Sequence, residues 1–335
     1  MGTGLRDDDD IVPLPGGTYM KSKTFAALLA TGALSLAASA FAATTEQGQG
    51  RAVITVMPKN NEAAGINIGP QNVELKVDGK QSNVTNFALA KGPDNPLELV
   101  ILMDSSARSS LGTQLSDIET FVKEMPNNTK IAIGYMENGR AAMTGPFSSD
   151  AGQVLNGLHL PSGAAGTGSS AYFCLSDLAK NWPSHDPTAR REVVMITDGV
   201  DYYNLRLDLD DPYVQAAIED SIRSGLVVYS FYWKNQGRVD RSEYESNAGQ
   251  SLLSEVTQAT GGNSYWEGTG NPVSFDPFFK DLRRRFLNQY RLAFSAPLKG
   301  KPQVERLSLK IQGADAKVYA PQQVFVNRGS TMAGE

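Results

Sequence analysis

Two apolar runs in this chain each end in an aspartate. Val100-Ile101-Leu102-Met103 leads into Asp104-Ser105-Ser106, and Val193-Val194-Met195-Ile196 leads into Thr197-Asp198-Gly199. Short uninterrupted runs rich in Val and Ile read as strands buried on both faces, the mark of a parallel sheet. In an open α/β sheet, ligands bind outside the carboxyl ends of the strands. Both acids fall there by sequence.

The pattern around these runs supports that sheet. Strands are predicted over 97–103, 130–135, 193–196 and 226–232, with short ones at 141–144 and 263–266. Leu115, Ile118, Phe121, Val122 and Met125 have helical spacing, and further helices are predicted over 154–160, 170–182, 214–224, 252–260 and 277–290. Gly261-Gly262 stops the helix before it, since glycine takes the left-handed cap. The alternation predicts an α/β fold with a doubly wound, mostly parallel sheet covered on both faces. At both ends the period changes to two. Residues 52–56, 73–77 and 82–87 read as strands, with Asp78-Gly79 as a hairpin turn; 307–311 and 317–319 do the same near the other end. They predict a small flanking β module built from N- and C-terminal strands. The expected segments are 43–95, 96–295 and 296–330. Residues 44–50 are polar and expected to lack regular structure.

The N-terminus reads as an address. Met20-Lys21-Ser22-Lys23 is basic, 24–36 is apolar and small, and Ala40-Phe41-Ala42 fits small-x-small cleavage. A signal peptide over 20–42 is expected, with a secreted or periplasmic product. Its apolar core is shorter than the roughly 20 residues of a stable span. Membrane contact is expected only through an uncleaved signal segment. Residues 1–19, with Asp7 to Asp10, read as an extension or mis-assigned start. The only cysteine, Cys174, lies on an apolar helical face and reads as buried filler. Net charge is −5 and no basic patch is evident, which excludes nucleic acid as the expected partner. Arg283-Arg284-Arg285 reads as a solvated helix face.

Asp104 with Ser106 offers two oxygens on one turn, and Asp198 offers a carboxylate from another strand. The Gly- and Ser-rich stretch 162–170 brings Ser170, with Ser169 as a rival, to the start of a helix. Carboxylates and hydroxyls suit hard cations such as Mg²⁺ or Mn²⁺. The same residue types also serve as helix caps and turns. Asp201, Asp208, Asp210 and Asp211 read as a solvated loop, with Asp210 or Asp211 capping the helix at Pro212. Tyr202, Tyr203, Tyr232, Trp233, Tyr265 and Trp266 gather near the same edge, and core packing is the expected use of most.

The ordered set resembles the von Willebrand factor type A domain over about residues 97–295. That family's metal-ion-dependent adhesion site reads Asp-x-Ser-x-Ser, then Thr in a later loop, then Asp-Gly. Asp104, Ser106, Ser170 and Asp198 occupy those positions, while Arg108 replaces the last serine. The chain is also similar to the VWFA-related domain family of exported acidobacterial proteins over about 50–325. That similarity rests on Val77-Asp78-Gly79-Lys80, Asp104 to Gly112, Thr197 to Asp201, Thr260-Gly261-Gly262 and Gln289-Tyr290. The resemblance implies export and a type A fold, and no settled activity. Arg108 leaves three outcomes. Metal binds, with Ser109 or Ser110 supplying the missing oxygen. The guanidinium replaces the cation and pairs with Asp104 or Asp198. Or the segment is a plain solvated loop.

Three function classes follow. The first is an exported binding module for a protein or cell-surface ligand, metal-dependent through Asp104, Ser106, Ser170 and Asp198. The second is a metal-free interaction or structural protein. The third is a Mg-dependent hydrolase. Zinc, nucleophile-elbow and phosphate-loop motifs are absent from the sequence, and His159 and His185 lack a general-base context. A non-enzymatic module is the expected reading.

Overall fold

The computed structural model describes residues 46–59, 68–162, 170–201, 203–204, 210–234, 243–298, 300–313 and 315–328. The expected signal peptide over 20–42, the segment 1–19, Ser169, Tyr202 and Asp208 lie outside the described residues. In chain order, the first strands are β1 (Gln47–Pro58), β2 (Val73–Val77), β3 (Lys80–Gln81), β4 (Asn83–Leu89) and β5 (Leu97–Asp104). A 3-10 segment (Ser105–Gln114) leads into α1 (Leu115–Glu124), then β6 (Thr129–Glu137), β7 (Arg140–Met143), α2 (Ala151–Leu155), α3 (Ala171–Lys180) and β8 (Arg190–Thr197). There follow α4 (Pro212–Ser224), β9 (Leu226–Tyr232), α5 (Glu243–Thr260), β10 (Ser264–Tyr265) and α6 (Asp276–Leu287). The chain closes with β11 (Gln289–Pro297), β12 (Gln303–Ile311), β13 (Ala316–Tyr319) and β14 (Gln323–Arg328).

The central sheet has the order β7-β6-β5-β8-β9-β10. All its pairs are parallel except β6 with the edge strand β7. Counted along the chain this is the order 3-2-1-4-5-6 of a doubly wound sheet. Alternation of side chains along a strand explains why the apolar runs are continuous. Leu99, Ile101 and Met103 of β5 pack with Ile118, Phe121, Phe279 and Leu282 on one face. Val100 and Leu102 pack with Leu175, Leu178, Ile218, Leu252 and Val256 on the other. Each fully buried side chain of this kind contributes about 1.5–3 kcal/mol. Cys174 is fully buried within the second face, and burial pushes its thiol pKa well up. It is filler, as its position implies.

A second, antiparallel sheet runs β3-β2-β12-β14-β1-β11-β4, with β13 also on β1. The expected hairpin forms at Asp78-Gly79, both with positive φ. The expectation for 44–50 is corrected: Gln47 to Gly50 are strand, paired with β11 and β14. Local polarity hid this, because the space a side chain at Gly48 or Gly50 would fill is taken by Val326 and the Phe294 ring. The helix expected over 277–290 ends at Leu287, and Gln289 already pairs with Thr55. The resulting strand β11 spans the 295/296 boundary. The helix expected over 154–160 is only Ala151–Leu155, capped by Asp150, because Gly157 closes tightly against Thr144. Arg285 corrects the solvated arginine face. It is buried, bonds Asp281 at 2.7 Å and lies 4.1 Å from the Tyr319 ring centroid, because β13 folds over it.

The antiparallel sheet meets the amino-terminal ends of the central strands. Arg190 at the start of β8 donates to the Gln289 side chain of β11, Arg291 of β11 donates to Thr188 O just before β8, and Gln322 N–H before β14 donates to Ala259 O at the end of α5. The carboxyl ends lie about 25 Å away, the length of β8. Among the described residues no helix is long and apolar enough to cross a membrane.

Candidate functional site

β5 and β8 are neighbours with Met103 opposite Ile196, so Asp104 and Thr197 leave the sheet side by side. Thr197 Oγ1 donates to Asp104 Oδ2 at 2.8 Å. Asp104 Oδ1 accepts from Ser106 N at 2.9 Å and from Ser106 Oγ at 2.7 Å. The Asp-x-Ser spacing closes a turn, because a carboxylate reaches the N–H two residues on. Asp198, at the end of β8, does the same with Val200 N at 3.1 Å. Gly199 follows with φ +68, a conformation that favours glycine. Its carbonyl accepts from Tyr172 OH at 2.7 Å, which ties α3 to the turn. Burial, then the charges of Asp198, Asp201 and Asp211, push the Tyr172 phenol up, so it stays a donor.

Ser170 caps α3. Its Oγ accepts from Phe173 N at 3.4 Å and donates to Asp201 Oδ1 at 3.3 Å. Asp104, Ser106, Ser170 and Asp198 are all buried at this edge. The structure joins Asp104 to Ser106, and it turns Ser170 toward Asp201. Thr197 and Asp201 are the partners that sequence reasoning missed. Thr197 was legible as a hydroxyl on the last residue of a strand beside an acid. Asp201 was assigned to a solvated loop, and this is corrected: it is 1% exposed. Burial raises its carboxyl pKa against the Tyr203 N–H, and the Asp211 charge adds to the rise. Asp211 caps α4 through Tyr213 N and Val214 N, as expected of one of the two acids there. Of the edge aromatics, Tyr232, Trp233 and Tyr265 are core, while Tyr203 and Trp266 are exposed.

The donors match a hard cation in kind, being carboxylate and hydroxyl oxygens. Ser105 Oγ is an orphaned buried hydroxyl beside Asp104, with no partner among the described residues. The Ser110 hydroxyl donates to Ala107 O and accepts from Trp233 Nε1. Ser109 and Arg108 are exposed. Among the described residues no three His, Cys, Asp or Glu gather in a metal-holding group.

Arg108 has φ 50 and ψ −146, a conformation non-glycine residues avoid. Such a residue stores about 1–3 kcal/mol. Arg108→Gly releases this strain but adds about 0.5–1 kcal/mol of chain entropy to the unfolded state, so a net gain of about 1 kcal/mol is expected to raise the melting temperature by about 2–4 °C. A lower melting temperature would show that the arginine side chain's own contacts outweigh the strain.

No protein-family model and no curated protein matches this chain. Solved structures do. An aerotolerance-related membrane protein from Bacteroides fragilis is 17% identical, with 57% of this chain and 98% of that one covered and a TM-score of 0.42. BatB from Bacteroides thetaiotaomicron is 16% identical, with 56% and 96% covered and a TM-score of 0.40. The VWA domain of SpRpn10 is 10% identical, with 53% and 97% covered and a TM-score of 0.35. The assignment of the fold rests on the strand order and the antiparallel edge strand described above.

Proposed function

We propose that this chain, whose α/β domain is von Willebrand factor type A-like, is an exported, non-catalytic module that binds a protein or cell-surface ligand. The binding face is the carboxyl edge of the central sheet. One observation carries this reading: polar residues from three separate elements converge there, while the antiparallel sheet docks at the opposite end. The export part rests on the signal pattern of 20–42.

In the metal-dependent version, Asp104, Ser106, Ser170 and Asp198 hold Mg²⁺ or Mn²⁺. A bound ion would supply positive charge for an acidic group of the ligand. A metal-free version has its own support, since Ser170 is committed to Asp201 and Asp104 accepts from both Ser106 and Thr197. Calorimetry of the mature chain with Mg²⁺ and with Mn²⁺ separates them. The metal-dependent version expects heat of binding and thermal stabilisation that vanish in Asp198→Ala. No heat and no stabilisation at millimolar metal would leave the metal-free version. Metal binding created by Arg108→Ser would show that the arginine takes the cation's place. Steady turnover of ester or phosphoester substrates would overturn the non-catalytic reading.

A further inference from the structure

Two acids meet beside the carboxyl edge without a counter-charge. Asp201 follows β8, Asp211 caps α4, and their carboxyls are in contact. Asp201 is 1% exposed and Asp211 is 0% exposed. Asp198 lies close enough that its charge acts, together with theirs, on the buried Tyr172 phenol. Like charges repel strongly in such a place, because protein screens them less than water does. Among the described residues neither Asp201 nor Asp211 has a lysine or arginine partner.

The hydrogen bonds show which oxygen is left over. Asp211 Oδ1 accepts from Tyr213 N at 2.8 Å and Val214 N at 3.4 Å, and its Oδ2 accepts from Asn204 Nδ2 at 3.0 Å. The amino end of α4 favours this group as an anion. Asp201 Oδ1 accepts from Tyr203 N at 3.0 Å and from Ser170 Oγ at 3.3 Å. Asp201 Oδ2 is buried with no hydrogen-bond partner among the described residues. A bare carboxylate oxygen on a carboxyl that touches a second acid calls for positive charge between the two.

That charge is a proton or a metal ion. One shared proton neutralises a single charge of the three acids, whereas a divalent cation neutralises two. The oxygens at hand are two carboxylates and the Ser170 hydroxyl, the kinds that Ca²⁺ takes. Mg²⁺ demands near-octahedral geometry, and Asp211 is already fixed by its duty as a helix cap, so the more tolerant Ca²⁺ fits better. We propose that Asp201 and Asp211, with Ser170 Oγ beside them, hold a calcium ion at a site separate from the Asp104–Asp198 set. Ser170 turns toward Asp201 in keeping with this site. The proposal does not rest on the edge being a ligand-binding face, nor on Mg²⁺ or Mn²⁺ at Asp104 and Asp198. With only two carboxylates the site is a weak one, with a dissociation constant of about 0.1–1 mM.

The test is calorimetry and thermal unfolding of the mature chain, stripped with EDTA and titrated with Ca²⁺. Binding in the stated range is expected, and 10 mM Ca²⁺ is expected to raise the melting temperature by about 3–10 °C. Asp201→Asn keeps the acceptor for Tyr203 N, and Asp211→Asn keeps an equally good helix cap. Each relieves the repulsion, so neither is expected to lower the melting temperature in EDTA. Each is expected to weaken Ca²⁺ binding at least about tenfold. Asp198→Ala, which abolishes the metal-dependent version above, should keep the Ca²⁺ response. No Ca²⁺ binding by the parent overturns the proposal and leaves the two acids sharing a proton. A Ca²⁺ response that Asp201→Asn or Asp211→Asn leaves intact overturns it as well. A response lost in Asp198→Ala but kept in Asp201→Asn assigns the metal to the Asp104–Asp198 set instead.

Discussion

Gly249→Ala is expected to lower stability by about 1–3 kcal/mol and to disturb Asp198, although alanine is the better helix former by about 1 kcal/mol. Gly249 is buried within α5. A Cβ there would overlap the carbonyl oxygen of Asp198 and press on Val200 Cγ2 at 3.2 Å. The atom in the way is backbone, so it cannot rotate aside. Gly199 completes the contact, since a Cβ on it would lie 2.6 Å from Gly249 O and against Leu253. Two glycines thus let α5 touch the turn that carries Asp198. The clash wins over propensity because either the helix or the turn must move. The melting temperature is expected to fall by about 2–12 °C. Gly270→Ala, where a Cβ meets nothing, is the control and should be neutral. A Gly249→Ala variant as stable as the parent would show that the two backbones are not in contact.

Stability is expected to fall as pH rises from about 4.5 to about 7, through Glu192. Its carboxyl is fully buried near the start of β8, with Arg190 3.9 Å away and Tyr229 and Gln289 beside it. Neither carboxyl oxygen has a hydrogen-bond partner among the described residues. Burial pushes its pKa from the ordinary 4.5 to about 7, and Arg190 offsets only part of the rise. The raised value fixes the sign. Below pH 4.5 both the folded and unfolded states are protonated, and the contribution is fully present. Between 4.5 and 7 the unfolded state releases its proton first, so folding loses ground. The loss amounts to about 3 kcal/mol over that window. Glu192→Gln keeps the shape and removes the titration. Urea unfolding of both proteins at pH 5 and pH 8 should show the fall in the parent and its absence in the variant. Parallel pH profiles would sink the assignment.

Much of the central sheet was legible because its strands are continuous apolar runs and its helices carry clear periodicity. β5, β6, β8 and β9 stand within three residues of where the runs place them. The elements that differed depend on distant partners. The start of β1 is polar and becomes strand only by pairing with β11 and β14. Arg285 reads as solvated on its own helix and is buried by β13, which lies over thirty residues away in sequence. The site divides in the same way. Asp104 and Ser106 close their turn within three residues, a bond that spacing alone implies. The attachment of Ser170 to Asp201 spans 31 residues, and that of Thr197 to Asp104 spans 93.

By itself, the sequence determined the layers. Side-chain period decides which residues face a core, and an acid after an apolar run marks the carboxyl edge of a sheet. Only the tertiary structure decided what the edge residues do with their hydrogen bonds. It placed Thr197 on Asp104 and Ser170 on Asp201 and buried all four side chains. The physical reason is range. Burial periodicity is a local property of the chain. Hydrogen-bond satisfaction and steric fit, as between Gly249 and Asp198, depend on which distant segments the fold brings within a few ångströms.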